Sequence, residues 1–509
     1  MNWFLWCVAI AVTCSSEGAR LRSLDNILEN DSDSGELWAV LVAGSNGWYN
    51  YRHQADVCHA YQILHKHGVP DDHIIVMMYD DISNNSLNPN PGVIINRPNG
   101  PNVYKGVPKD YTGKDVTPRN FLHILNGNAK AMEGIGSGKV INSTDKDRIF
   151  INLVDHGGPG VFCFPEHVLH ANVLARVIRD LHKKRKFKEM VVYVEACESG
   201  SLFEGLLPNS KVYALTAANP HEPSYACYLD KELGTYLGDV FSIKWMEDTD
   251  KEDIHKETLK EQFHILQKEV TTSHVKQWGE RKISNEKLWK FLGERDDRSK
   301  NSIRSPNTEN QLSYDTTKSN YASLEYESKQ HYLKGKVKHH GKLEKNNTDV
   351  GDLHAINVNL TQDDMPDEDE CLASAVTSPD VPVKILESRI LTSKNDMDKD
   401  ERRRELETLH MTRLLVQVVM HTLVKEITED DEKKPAMFVK DRSRKITQWK
   451  CHEFSVDIFD KMCFNIGQNP YVVRLLHVIV NLCEHGYTSD QFEEAAQKVC
   501  TFQKFTGII

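Results

Sequence analysis

No stretch of the sequence strings together the ~18 apolar residues that a membrane-spanning helix needs. The longest late candidate, 475–482, is too short, so no transmembrane span is expected. Positive charge is in deficit as well. The 63 Lys and Arg face 74 Asp and Glu, for a formal net charge of −11. That balance argues against nucleic acid or an anionic membrane as the main partner. No CxxC pair occurs among the 11 cysteines, which disfavours a zinc site. The apolar run 4–12 lacks the basic flank of a secretory signal, yet its length and the small residues 13–16 behind it fit one. The reading is a signal peptide over 1–16 and a polar, acidic propeptide over 17–35.

What the chain does have begins at 190–200, MVVYVEACESG. The branched and aromatic run 190–194 reads as a buried strand. It ends in Glu195, Ala196, Cys197, Glu198, Ser199 and Gly200. About forty residues earlier a second apolar run, 148–154, ends in Asp155, His156, Gly157 and Gly158. In an open parallel sheet the carboxyl ends of the strands form the ligand crevice. Two such strands side by side bring Cys197 and His156 to one edge, as a nucleophile and its base. The plainer alternative is a capping histidine and a cysteine acting as a small buried hydrophobe.

The remaining elements follow in order. Strands are expected at 37–44, 73–79 and 211–217, and helices at 51–67, 117–132 and 170–186. The segment 80–113, rich in Asn, Pro, Gly and Asp, reads as a long loop, of the kind that is functional or disordered. Strands alternating with helices indicate an α/β fold with a mostly parallel sheet flanked by helices. The chain turns helical and polar over 250–292. Residues 297–372 carry many charges and few apolar groups, and read as a solvated linker without a core. Helical spacing resumes at 401–427, where Leu406, Leu409, Leu414, Val418 and Val424 form an expected core-facing stripe. A helical tail follows, holding Cys451, Cys463, Cys483 and Cys500. Four close cysteines in a secreted chain suggest two disulfides. Cys58, Cys163, Cys197, Cys227 and Cys371 are scattered, and at least one must stay unpaired. Sequons at Asn30, Asn84, Asn142, Asn346 and Asn359 fit a secretory route.

Several of these motifs together resemble a known family. AGSNGWYNYRHQAD at 43–56, DHG at 155–157, EACESG at 195–200 and YLGD at 236–239 are similar to those of the legumains, which are asparaginyl endopeptidases. The resemblance spans about 37–278 and resumes over 378–500. It implies a caspase-like catalytic domain, taken as 36–290, and a polar linker over 291–377. An activation peptide over 378–395 and an all-helical prodomain over 396–509 would follow, with the prodomain covering the active site as an inhibitor. It implies cleavage of protein and peptide substrates after asparagine and maturation in an acidic compartment, lysosomal, endosomal or gut-like. Cystatin-type inhibitors are further implied partners. No cofactor or metal is implied.

Carried over by motif, Cys197 is the nucleophile, His156 its partner, and Asn50 the neutral group that orients the imidazole. A free thiol titrates near ~8.5, so a nearby imidazolium is needed to favour thiolate under acid conditions. The backbone N–H groups of Cys197 and Gly157 would form the oxyanion hole. Arg52, His53, Glu195, Ser224 and Asp239 would form the specificity pocket. A carboxamide offers one acceptor and two donors, which suits a guanidinium opposite carboxylates. An ionised aspartate would be repelled by the same carboxylates and become acceptable as pH falls. The resemblance further implies disulfides Cys451–Cys483 and Cys463–Cys500, and self-cleavage at Asn395. Asn301, Asn310, Asn320 and Asn347 are alternative cut sites, and Asn26, Asn30 and Asp33 mark the N-terminal one. Acid would loosen the prodomain by protonating interface carboxylates. Rival readings are an asparaginyl peptide ligase, a glycosylphosphatidylinositol transamidase, and an inactive secreted homologue that only binds. The transamidase would need a membrane anchor, and the inactive homologue would have lost Cys197 or His156.

Overall fold

A computed structural model describes residues 35–207, 210–294, 369–428, 438–502 and 505–508. The signal peptide, Asn26, Asn30 and Asp33, the sequons at Asn346 and Asn359, and the linker asparagines lie outside the described residues.

Six strands form the central sheet: β1 (Leu37–Ala43), β2 (Ile74–Met77), β3 (Arg148–Val154), β7 (Glu189–Glu195), β8 (Val212–Thr216) and β11 (Lys276–Gly279). Their order is β11-β8-β7-β3-β1-β2, and every pairing is parallel except β11 on β8. The strands are apolar at successive positions because both faces are covered. Leu41, Phe150, Val191 and Tyr213 pack on one face with helices α1 (Tyr51–Lys66), α4 (Val240–Lys251) and α5 (Leu259–Glu269). Val40, Ile151, Val192 and Ala214 pack on the other with α2 (Pro118–Leu125) and α3 (Ala171–Lys183). From β1 the chain moves outward to β2, then returns to the other side of β1 for β3. The strand order therefore reverses between β1 and β3, where such sheets bind ligands.

Two small antiparallel sheets border that point. One joins β4 (Gly157–Gly158), β5 (Val161–Cys163) and β6 (Val168–His170). The other joins β10 (Thr235–Asp239), β9 (Tyr225–Asp230) and β12 (Val376–Thr377). The loop 80–113 is held by side-chain amides: Asn88 Nδ2 alone donates to the carbonyls of Ile82, Ser83 and Val93.

Helices α6 (Val381–Thr392), α7 (Asp396–Ile427), α8 (Trp449–Ile458), α9 (Leu476–Glu484) and α10 (Ser489–Val499) form the C-terminal region. Its core is continuous with Val161 and Cys163 of β5. Disulfides join Cys451 to Cys483 and Cys463 to Cys500, the pairing that the resemblance implied.

Several expectations need correction. The stretch 250–292 is not helical throughout, because β11 lies inside it as an antiparallel edge strand. The helix expected over 117–132 ends at Leu125, since Gly127 turns left-handed at φ 65°. The stripe on α7 is right at Leu409 and Val424 and misplaced elsewhere. Leu414 and Val418 are 51% and 52% exposed, and the buried face is Leu409, Val416, Met420, Leu423, Val424 and Ile427. The polar linker does not reach 377. Residues 369–377 fold onto β9, and a third disulfide, Cys227–Cys371, fastens them there. Cys58, Cys163 and Cys197 remain free.

Candidate active site

Val154 and Glu195 are paired across β3 and β7, and the Asp155 N–H extends the ladder to the Glu195 carbonyl at 3.0 Å. His156 and Cys197 therefore leave the sheet side by side. The turn beyond Cys197 is tight: Glu198 is left-handed at φ 49°, an uncommon conformation for a side-chain-bearing residue. A Cβ on Gly157 would meet the Cys197 carbonyl at 2.6 Å and the Ala196 Cβ at 3.0 Å. Glycine there is what allows the two strand ends to approach.

Asn50 ends the short turn that enters α1. Its Nδ2 donates to the Asn46 carbonyl at 2.9 Å, which turns its Oδ1 toward His156 Nε2 at 2.8 Å. An amide oxygen only accepts, so Nε2 carries the proton and Nδ1 is left as the basic nitrogen. Cys197 Sγ accepts from the Ser224 N–H at 3.4 Å and lies 3.7 Å from Ser224 Oγ. Among the described residues, nothing accepts from the N–H of Cys197. Burial, reinforced by Glu198, pushes the Cys197 thiol up to about 12. Burial and the Arg52 guanidinium hold His156 well below the ordinary imidazole value. In this covered state the pair is a neutral thiol beside a neutral imidazole.

Beside them lies a buried cluster of charge. Arg52, fully buried on α1, donates to Asp239 Oδ1 at 2.8 Å and to the Tyr49 carbonyl at 3.0 Å. His53 Nδ1 meets Ser45 Oγ at 2.6 Å and Asp155 Oδ1 at 3.2 Å, and its Nε2 is 3.6 Å from Asp239 Oδ2. Glu195 Oε2 accepts from the N–H and hydroxyl of Ser242, in the first turn of α4, where a helix favours negative charge. Glu195 Oε1 and Asp239 Oδ2 are buried without a hydrogen-bond partner. Both carboxyls titrate above the ordinary range, first because they are buried and, for Glu195, also because Asp239 is near. All five residues expected in the pocket are at this place, with Ser224 linking it to Cys197.

Two more belong to it. Asp56 Oδ2 accepts from the Asp239 N–H at 3.2 Å, and its Oδ1 accepts from Asn96 Nδ2 at 2.7 Å. Asn96 also donates to the Leu237 carbonyl at 2.8 Å. Burial, then repulsion from Asp239, raises the Asp56 carboxyl well above its usual value. Arg52 and Asp56 are i,i+4 on one helix, a spacing that places them on the same face. That signal was readable; the reach of Asn96 from a long loop was not.

His53, Asp155 and His156 bring three potential metal ligands within 4.8 Å. His156 Nε2 is committed to Asn50 and His53 Nδ1 to Ser45 and Asp155, and burial, with Arg52 beside them, depresses both imidazoles. A cation there would face that guanidinium, so the group suits hydrogen bonding better than metal binding.

The site is covered. Residues 376–377 pair antiparallel with β9, the Ser378 N–H donates to the Ser224 carbonyl at 2.8 Å, and Ser378 Oγ accepts from Arg52 Nη2 at 2.7 Å. Pro379, Pro382, Tyr471 and Val473 close over Cys197 and His156, leaving about 10 Å³, no more than one water needs. Arg413 of α7 donates to the Pro379 carbonyl at 2.6 Å, and Asp380 lies 3.6 Å from both Arg413 and Arg474.

The other expected positions are separate from the site. Asn84 and Asn142 are exposed, as glycan acceptors must be. Asn395 is exposed in the break between α6 and α7, where its side chain caps α7 by accepting from the Met397 N–H.

Comparison with known proteins gives two family matches, Peptidase C13 family over residues 37–294 and Legumain, prodomain, over 404–500. A legumain of Rattus norvegicus is 40% identical over 475 residues, covering 93% of this chain and 94% of that protein. A legumain of Homo sapiens is 39% identical over 481 residues, 93% and 95% of the two chains. The vacuolar-processing enzyme delta-isozyme of Arabidopsis thaliana is 49% identical over 297 residues, 55% of this chain and 63% of that one.

Asp56→Ala should lower kcat/KM on an asparagine-containing test peptide by roughly 10- to 100-fold, the value of losing hydrogen bonds to a charged group. Asp56→Asn, which keeps one acceptor, should lose less. Steady-state kinetics of the two variants with unchanged thermal midpoints would check this.

Proposed function

The chain belongs to the peptidase C13 family, the legumains, and is a zymogen of a cysteine endopeptidase with a caspase-like fold; from that premise we propose that it cleaves after asparagine and activates itself in acid. The observation that carries the asparagine reading is a buried guanidinium, Arg52 on Asp239 Oδ1, in one pocket with the buried oxygens Glu195 Oε1 and Asp239 Oδ2, which have no hydrogen-bond partner. A carboxamide would accept from the guanidinium through its oxygen and give its two N–H donors to the carboxylates. That exchange satisfies buried acceptors which are costly to leave unpaired. Glutamine carries the same head on a longer stem and would misplace it.

Once the cover leaves, water returns and the Cys197 proton passes to His156 Nδ1. The thiolate attacks the carbonyl carbon after the asparagine side chain, and the N–H groups of Cys197 and Gly157 receive the oxyanion. His156 returns the proton to the leaving amine. Water then resolves the acyl-enzyme, and a competing amine would give ligation from the same residues. Localisation to a lysosome-like or other acidic compartment reached through the secretory pathway fits this reading, as does capture by cystatin-type inhibitors. Asn395, exposed at a helix boundary, is a suitable point for self-cleavage.

Acid release needs a group whose shift has the right sign. Glu198 does not. Burial raises it to about 8, so protonation relieves the covered state rather than opening it. His452 of α8 has the right sign. It is 1% exposed, lies where a Cβ on Gly160 would touch its Cε1 at 3.0 Å, and has no partner at Nε2. Burial, then nearby His170, pushes it down to about 3. A lowered imidazole stabilises docking fully above ~6.5, and that contribution is lost as pH falls toward 3, at about 1.4 kcal/mol per pH unit. His170 itself is bonded to Asp457 of α8 at 2.8 Å.

Three outcomes are expected. The acid-treated full chain should cleave an asparaginyl fluorogenic peptide, and Cys197→Ala should not. The aspartyl analogue should be cleaved at pH 4 and poorly at pH 7; equal rates at both would contradict the charge argument. His452→Phe should shift the pH of half-maximal activation downward by about one unit, measured by activity after timed incubation across pH 3–7. An unchanged midpoint would return the trigger to the carboxylates.

A further inference from the structure

The Cys227–Cys371 disulfide crosses from β9 to the single turn Glu370–Ala373, with both residues fully buried. Only six residues, 372–377, separate Cys371 from Ser378, the residue seated on Arg52. We propose that this disulfide keeps the inhibitory strand on the active-site edge after the helical prodomain has been cut away, so that full activity requires a dithiol as well as proteolysis.

The strand has four further attachments to the catalytic domain that owe nothing to α7–α10. The Tyr228 N–H donates to Ser374 Oγ at 2.8 Å. Val376 and Thr377 pair with Ala226 and Tyr225. Val381 and Ile385 of α6 are buried against Ala226 and Tyr236. Arg389 donates to the Gly234 carbonyl at 3.1 Å. A cut at Asn395 severs none of these. Without the disulfide, a cut ahead of residue 371 would free the piece to diffuse away. With it, the piece stays within a few residues' reach of the pocket, and a short tether gives an effective concentration in the millimolar range. Such a segment rebinds after every opening and competes with substrate.

Reduction would undo this by thiol–disulfide exchange. A thiolate of the dithiol attacks one sulfur and forms a mixed disulfide. Its second thiol resolves that bond, Cys227 and Cys371 leave as thiols, and the dithiol becomes a cyclic disulfide. Because both sulfurs are buried, the 369–374 turn must open first.

The inference rests on the cysteine-endopeptidase reading above, and one experiment separates the two. The full chain and its Cys227→Ser/Cys371→Ser variant are processed in acid, and rates on an asparaginyl fluorogenic peptide are normalised to titrated Cys197 thiol. Intact masses are taken without and with dithiothreitol. Non-reduced wild type should carry a fragment containing Cys371 and Ser378, lost on reduction, and its rate should rise about tenfold with dithiothreitol. The double variant should start at the higher rate and change little. The mass measurement needs no variant, so it stands even if the double variant fails to fold. Active non-reduced enzyme without the fragment, or equal rates with it attached, overturns the tether. Absence of activity in every arm, with Cys197 titratable, overturns the peptidase reading itself.

Discussion

Arg52 is a buried cation with a fixed fork of donors, and the molecule is arranged around how those donors are spent. One holds Asp239, one holds the Tyr49 carbonyl, and one is given to Ser378. A buried guanidinium cannot be left unpaired, because desolvating a charge costs several kcal/mol. The same requirement therefore builds the pocket, keeps it closed, and leaves a place that an amide can take when Ser378 withdraws. Burial, with the field of Arg52 added, keeps His53 and His156 neutral, so the covered enzyme holds no poised ion pair.

The cover exploits this neutrality. Pro379 and Pro382 bring no N–H donor to the cavity, and Tyr471 and Val473 exclude water from Cys197. Without water the Ser224 N–H is too little to stabilise a thiolate against burial, and the thiol rises accordingly. Opening thus does two things at once: it admits substrate and restores the solvation in which proton transfer from sulfur to nitrogen becomes feasible. The prodomain helices contribute by packing on the hairpin of β4 to β6. Backbone and side-chain atoms of Val473 lie where a Cβ on Gly158 would be, at 2.9 and 3.0 Å.

Much of this was legible in the chain. The apolar runs of β1, β3, β7 and β8 are long enough to identify as buried strands, and a parallel sheet of such strands puts the residues after them at one edge. That placed Cys197 beside His156. The motif around 50–53 supplied Asn50, Arg52 and His53 only through the family resemblance; by spacing alone they are turn and helix residues. What stayed hidden depends on long-range packing. The Cys227–Cys371 pairing spans 144 residues, and nothing in composition distinguishes those cysteines from Cys58 or Cys163. The buried face of α7 was misread because Leu414 and Val418 share helical spacing with true core residues, and spacing cannot tell which face meets a partner. β10, β11 and β12 are short edge strands, and β9 between β10 and β12 has only six residues, so their signal is too weak to separate from turns. Asp56 escaped because its value lies in bracing Asp239 from behind rather than touching the pocket.

The account turns on Ser378 standing where a substrate's side chain would sit on Arg52. The most direct measurement is the rate at which a peptidyl electrophile bearing an asparagine side chain labels Cys197 in the intact full chain at neutral pH. Ser378→Ala removes one hydrogen bond from a charged donor, worth about 1.5–3 kcal/mol, so labelling should quicken by roughly tenfold or more. Labelling at an unchanged rate, with the variant folded and its Cys197 accessible after acid treatment, would contradict it.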